Sequence, residues 1–148
     1  MILYLDTSSL VKLYVDEPGS TEVWNLLATA STVATSMVTY AETRAALARR
    51  HREGALPGTP FRAAKRAFEA DWPHYVAVEV SADVCRRAGD IAERSGLRAY
   101  DSVQLACFAT LAEEAPGAVV FSSFDRRLND AADRLTRSLT RKRARARP

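Results

Sequence analysis

Cysteine and histidine are nearly absent: the 148 residues hold two of each. Cys85 and Cys107 are too few for a disulfide framework or a Cys-rich zinc site. Both lie in apolar, helix-like segments and are expected as buried thiols. His51 and His74 have polar neighbours and no partner spacing suited to zinc or to catalysis, which places them at the surface. No apolar run approaches the ~20 residues that a membrane helix needs. Residues 1–6 lack both the basic leader and the long apolar region of a signal peptide. A cytoplasmic protein with no membrane association is therefore expected. Internal repeats are missing, as is any linker that would divide the body. What is present is an ordinary globular balance, 47% hydrophobic and 26% charged, on a length that suits one domain with its own core.

Charge is unevenly placed. The formal net charge is +3, but the last fifteen residues hold seven basic side chains and no acidic one. The rest carries fourteen basic and eighteen acidic residues, a net of −4. This divides the chain into a mildly acidic body, residues 1–135, and a basic tail, residues 136–148, expected to have little order. Such a tail is either a solvated end or an electrostatic contact for RNA or DNA.

Apolar periodicity alternates between strand and helix. Residues 2–6 form a short apolar run ending in an acid, followed by the helix starters Thr7, Ser8 and Ser9. Leu10, Leu13 and Tyr14 follow at helical spacing, and residues 16–20 break that helix. A second helix carries Val23, Leu26, Leu27 and Ala30. Residues 32–36 are β-branched and strand-like, and 38–52 are helical. Residues 54–60 hold two glycines and two prolines, a loop signal. A helix over 61–71, a strand over 75–80 and a helix over 81–95 come next, the last capped by Ser81 and stopped by Gly96. A long helix spans 99–115, a fourth strand 118–121, and a short last helix 125–135. This order predicts an α/β fold of three layers, with a parallel sheet of four to five strands and helices on both faces.

Ligand sites in such sheets lie beyond the carboxyl ends of the strands. Four acids fall there. Asp6 closes the first strand, and Glu42 lies early in the helix after the second. Asp125 follows the fourth strand. Asp101 opens the helix that leads into that strand through a tight Pro116-Gly117 turn, so its start points to the same edge. Residues 81–95 are then expected to lie crosswise between the two. Like charges brought together raise each other's pKa, and a divalent cation relieves this. Oxygen donors without His or Cys favour Mg²⁺ or Mn²⁺ over zinc. The chemistry that suits such a site is hydrolysis of a phosphodiester by a metal-activated water.

Several stretches carry a resemblance. Asp6-Thr7-Ser8 with Ser9-Leu10-Val11-Lys12-Leu13-Tyr14 resembles the opening of PIN-domain nucleases, especially the VapC-type toxins of toxin–antitoxin pairs. Tyr40-Ala41-Glu42, Leu97-Arg98-Ala99-Tyr100-Asp101-Ser102 and Ser123-Phe124-Asp125-Arg126-Arg127-Leu128 match in order, so the resemblance spans residues 1–132. It implies a PIN-like fold and an endoribonuclease. Asp6, Glu42, Asp101 and Asp125 would be its acidic, metal-binding and catalytic set, with Asp6 and Asp101 the most direct ligands. Thr7 and Ser123 would be supporting hydroxyls. The resemblance further implies a homodimer, an RNA substrate of the tRNA or ribosomal RNA class, and inhibition by a cognate antitoxin. Two departures stand out. Many relatives have a His where this chain has Gln104, and many end in a fifth apolar strand for which residues 134–140 are a poor match.

Each residue also has a plainer reading. Asp6 and Asp125 can cap helices. Glu42 and Asp101 can simply favour a helix start. Arg98 can meet a phosphate or an antitoxin acid, or form a surface ion pair. Lys12 can meet RNA or sit in solvent. Trp24, Tyr40 and Phe108 are expected in the core. Two other functions compete: a non-catalytic nucleic-acid-binding module that uses the tail, and a phosphoacceptor or phosphatase domain. The second of these lacks a paired Asp at the first strand end and a lysine at a later one.

Overall fold

A four-residue strand at the centre of a sheet needs apolar side chains on both faces. β1 (Ile2–Leu5) supplies them. The structure, a computed structural model, describes residues 1–145. β1 is flanked by β2 (Thr32–Ser36) and β4 (Val119–Ser122), and β3 (Val76–Val78) lies outside β2. All neighbours are parallel, in the order β3-β2-β1-β4. Tyr4 pairs with Ala34 on one side and Phe121 on the other.

Helices cover both faces. Among the described residues seven are α-helices: α1 (Thr7–Leu10), α2 (Ser20–Thr29), α3 (Val38–Arg52), α4 (Gly58–Asp71), α5 (Ala82–Ser95), α6 (Ala99–Glu114) and α7 (Arg126–Arg145). Alternation along β1 sorts the core into two halves. Tyr4 points into a cluster with Ala88, Ile91, Leu105, Phe108 and Leu128, from α5, α6 and α7. Leu3 and Leu5 point the other way, against Leu10, Val23 and Phe68 from α1, α2 and α4. A smaller cluster of Val11, Leu47, Leu56 and Ala64 ties α3 to α4. The expected three-layer α/β/α architecture with a parallel sheet is what forms, with four strands.

Several details depart from the sequence expectation. α4 starts at Gly58 rather than Phe61, because Pro60 fits the first turn, where its missing N–H costs no bond. The last helix does not stop near residue 135 but runs to Arg145. Leu135 continues the apolar stripe of Leu128 and Ala132, Leu139 extends it, and the Thr136 and Thr140 hydroxyls donate to carbonyls one turn back. Residues 134–140 are therefore helical and add no fifth strand, and residues 136–145 are helix rather than tail. Residues 81–95 do not cross between sheet edges as a separate layer. α5 pairs antiparallel with α6: the turn at Gly96 joins them, and Arg87 early in α5 meets Glu113 at the end of α6. Cys107 is buried, but Cys85 is exposed, one position off the Val84–Ala88–Ile91 stripe. Trp24 is 51% exposed on α2, not in the core, whereas Phe108 is buried. Both histidines are exposed. No helix among the described residues is long and apolar enough to cross a membrane.

Candidate active site

Asp6 sits where β1 ends and α1 begins. Its backbone N–H donates to the Ser122 carbonyl at 3.1 Å, so the β1–β4 ladder fixes its position. Its Oδ1 accepts from the Ser9 N–H at 2.9 Å, capping α1. The Ser8 hydroxyl donates to the same oxygen at 2.8 Å, and Ser123 Oγ donates to Oδ2 at 2.7 Å. Asp6 is only 5% exposed. Burial pushes its carboxyl up, bonds from Ser123, Ser9 and Ser8 pull it down, and the charge of Glu42 pushes it up again. The net is a raised value.

Glu42 comes from the second turn of α3. Its Oε2 accepts from the Thr7 hydroxyl and, at 3.0 Å, from Gln104 Nε2. Asp101, in the first turn of α6, accepts from Arg98 Nε at 2.9 Å. That bond, with the charge of Asp101, holds the exposed Arg98 guanidinium above its usual value. Asp125 caps α7 through the Arg127 N–H at 2.8 Å, and its own N–H donates to Ser123 Oγ at 3.0 Å. The capping readings of Asp6 and Asp125 are thus correct as geometry, and both residues also line the cavity.

All four acids line one cavity of about 300 Å³ with Thr7, Ser8, Lys12, Arg98 and Gln104. A larger groove of about 790 Å³, between the end of α6 and α7, contains none of them. Ser123 supports the cavity from beneath, through Asp6 and Ser8. Lys12 is neither solvated nor free. It is 9% exposed, its Nζ donates to Glu17 Oε1 at 2.8 Å and to the Pro18 carbonyl at 2.9 Å, and it lies 4.4 Å from the Phe124 ring centroid. It braces the loop before α2.

Two further residues hold the acids in place and were not singled out from the sequence as doing so. Ser8 bonds to Asp6, touches Ser123 at 3.3 Å and accepts the Phe124 N–H at 2.8 Å, stitching the ends of β1 and β4. Gln104 is 3% exposed. Its Oε1 accepts from the Tyr4 hydroxyl at 3.0 Å, and its amide donates to Thr39 at 2.9 Å and to Glu42. A signal existed for Gln104: three residues past Asp101 on a helix is the same face.

The donor set suits a hard divalent cation, since the acidic and amide donors around the cavity are oxygen-bearing and no His or Cys lines it. Among the described residues no three metal-ligating side chains converge on one point. Mg²⁺ does not require that, because it keeps several waters and binds through one or two carboxylates together with substrate oxygens. The raised carboxyl of buried Asp6 is the kind of group a cation would stabilise in its charged form.

A three-layer parallel sheet with four acids gathered at its carboxyl edge defines a class, and this chain belongs to it: it is a member of the PIN domain family, whose model matches residues 3–134. Within the family it groups with the VapC-type proteins. It is 37% identical over 131 residues to Ribonuclease VapC45 of Mycobacterium tuberculosis (strain CDC 1551 / Oshkosh), with 88% of this chain and 89% of the relative covered. Identity and coverage are the same for Ribonuclease VapC49 of Mycobacterium tuberculosis (strain ATCC 25618 / H37Rv).

Proposed function

We propose that this chain is a Mg²⁺- or Mn²⁺-dependent endoribonuclease, the toxin of a toxin–antitoxin pair. The observation that carries the reading is that Asp6, Glu42, Asp101 and Asp125, far apart in sequence, line one cavity at the carboxyl edge of the sheet. Membership of the PIN family and the ribonuclease names of both relatives support it. A bound divalent cation would lower the pKa of a water and neutralise charge on the phosphodiester. Asp6 and Asp101 are the direct ligands in this reading, with Glu42 and Asp125 completing the set. The chain's own work is positioning. Ser8, Ser9 and Ser123 aim Asp6, while Thr7 and Gln104 aim Glu42. Arg98 leaves Asp101 to meet a substrate phosphate, or an acid of an antitoxin.

The substrate is a structured RNA of the tRNA or ribosomal RNA class. The protein acts in the cytoplasm as a homodimer, with residues 1–135 as the nuclease body and a cognate antitoxin as inhibitor. The test is cleavage of total RNA by the purified chain with Mn²⁺ or Mg²⁺, beside Asp101→Asn and an EDTA control. Asp101 is the cleanest choice because it caps nothing. Discrete fragments from the wild type and at least 100-fold slower cleavage by the variant are expected; equal, EDTA-resistant cleavage by both would end the proposal.

A further inference from the structure

Four arginines on α7 share one face. Arg134, Arg137, Arg141 and Arg145 are spaced at 0, 3, 7 and 11 residues. At 3.6 residues per turn they fall within a sector of about 80°. All four are exposed. The apolar stripe of the same helix, Leu128, Ala132, Leu135 and Leu139, lies well around the cylinder and packs inward at its start. The arginine face therefore lies away from the apolar side of the helix, with Arg134 at the rim of a groove against α5.

Three observations say this face awaits a polyanion. Among the described residues none of the four arginines has a carboxylate partner, although six other ion pairs form in the molecule. Like charges three and four apart on a helix repel; Asp130 and Asp133 stand one turn before Arg134 and Arg137 and offset that for the first half of the stripe, but no acid stands one turn before Arg141 or Arg145. The helix dipole explains only the last turn, and Arg134 and Arg137 lie upstream of that. Lys142 is different, since it sits close enough to Glu113 to help hold that carboxyl below its usual value.

We propose that the outer face of α7 over residues 134–145 is a binding track for the phosphate backbone of helical RNA. The choice of RNA rests on the function proposed above. The arginines rise about 4.5–6 Å from one to the next along the axis. That gives one cation for every one or two phosphates of a strand, whose charges lie about 3.4 Å apart along a duplex. The track is also joined to the site. Asp125, which lines the cavity, caps the start of this same helix. Twenty residues of α7 extend about 30 Å, close to one helical turn of duplex. An RNA engaged at both ends must span about 30 Å, which a stem of one helical turn does. The family model ends at residue 134, so the track lies almost wholly beyond the part that defines the family.

Binding is tested on the full chain in EDTA, where no metal-dependent cleavage intrudes. The probe is an RNA hairpin with a twelve-base-pair stem, followed by fluorescence anisotropy across a salt series. The stripe variant carries Arg134→Gln, Arg137→Gln, Arg141→Gln and Arg145→Gln. A charge-matched control carries Arg52→Gln, Arg62→Gln, Lys65→Gln and Arg66→Gln on α3 and α4. Circular dichroism verifies that both fold. The stripe variant is expected to lose at least about 30-fold in affinity at 100 mM salt, with the slope of log K against log salt flattened by about 3; the control should change less than threefold. Affinity and slope unchanged in the stripe variant, or an equal loss in the control, would overturn the track. So would equally tight binding of a DNA duplex of the same length, which would remove RNA as the ligand. Loss of binding to anionic vesicles alone, with RNA binding intact, would assign the face to a membrane instead. The two proposals fail separately: stripe-dependent binding without cleavage leaves the track and removes the nuclease, and cleavage with stripe-independent binding does the reverse.

Discussion

Gln104 shows how one buried amide can hold a carboxylate in place. It accepts from Tyr4 and donates to both Thr39 and Glu42. Replacing it by leucine leaves those buried groups without a partner, a cost of about 2–3 kcal/mol. Gln104→Leu should lower Tm by about 4–10 °C in calorimetry and slow RNA cleavage at least tenfold, with Gln104→His retaining more of both. Glu17 shows the opposite kind of group, a charge whose partners win. Partial burial pushes its carboxyl up, but Lys12 and Arg50 more than reverse this and hold it below the usual 4.5. A depressed carboxyl stabilises fully above that value and loses its contribution as pH falls through the folded one. Glu17→Gln should therefore lower Tm at neutral pH and flatten the fall of Tm below about pH 4.5, read from melts between pH 3 and 7. That the four acids would share one edge of the sheet was legible in the sequence, because each lies at a strand end or helix start, where topology fixes direction. Ser8 was not, since a serine in a helix start carries no mark of what it will face, and Gln104 only in part: its place one turn after Asp101 marked its face but not its partners. Lys12 was misread for a related reason: its salt bridge depends on a loop turning back, which periodicity does not encode.

At the scale of elements, the start of α2 is coupled to the active edge. Gly19 caps that helix at φ +95°, and a Cβ there would lie 2.3 Å from the Phe124 ring. Phe124 precedes Asp125 and lies under the Lys12 ammonium. Gly19→Ala should cost at least about 1–2 kcal/mol from the left-handed backbone alone. It should lower Tm by several degrees and slow cleavage by shifting Phe124. Gly19→Ala combined with Phe124→Ala should recover the steric part of the loss but not the backbone part, as thermal melts of the three variants would show. Most elements were legible because caps and breakers mark them: Ser81 opens α5, Gly96 closes it, and Pro116-Gly117 ends α6. The end of α7 was not. Its second half has a thin apolar stripe and a dense run of arginines, and arginine is a good helix former as well as the mark of a solvated tail.

At the scale of the whole molecule, the cavity should behave as a stability switch. A cation that binds only the folded chain stabilises it by about 2.7 kcal/mol at a hundredfold excess over its Kd. Added Mn²⁺ should thus raise Tm by about 5–10 °C, and Asp101→Asn should remove most of that rise. The parallel α/β/α architecture was readable because strands and helices alternate without interruption. The course of α5 was not, because its antiparallel pairing with α6 depends on side-chain packing rather than on chain order.

The sheet order has a consequence for how the chain comes into being. β1 is the first strand made, yet one of its two neighbours is β4, ending at Ser122. Asp6 waits for Ser122 to hold its backbone and for Ser123 to hold its side chain. A ribosome that stalls anywhere before that point releases a fragment whose first acid has no fixed direction. Pairing of β4 with β1 is therefore the step that fixes the first acid of the candidate site, and a nascent chain that ends before Ser123 cannot yet have made it.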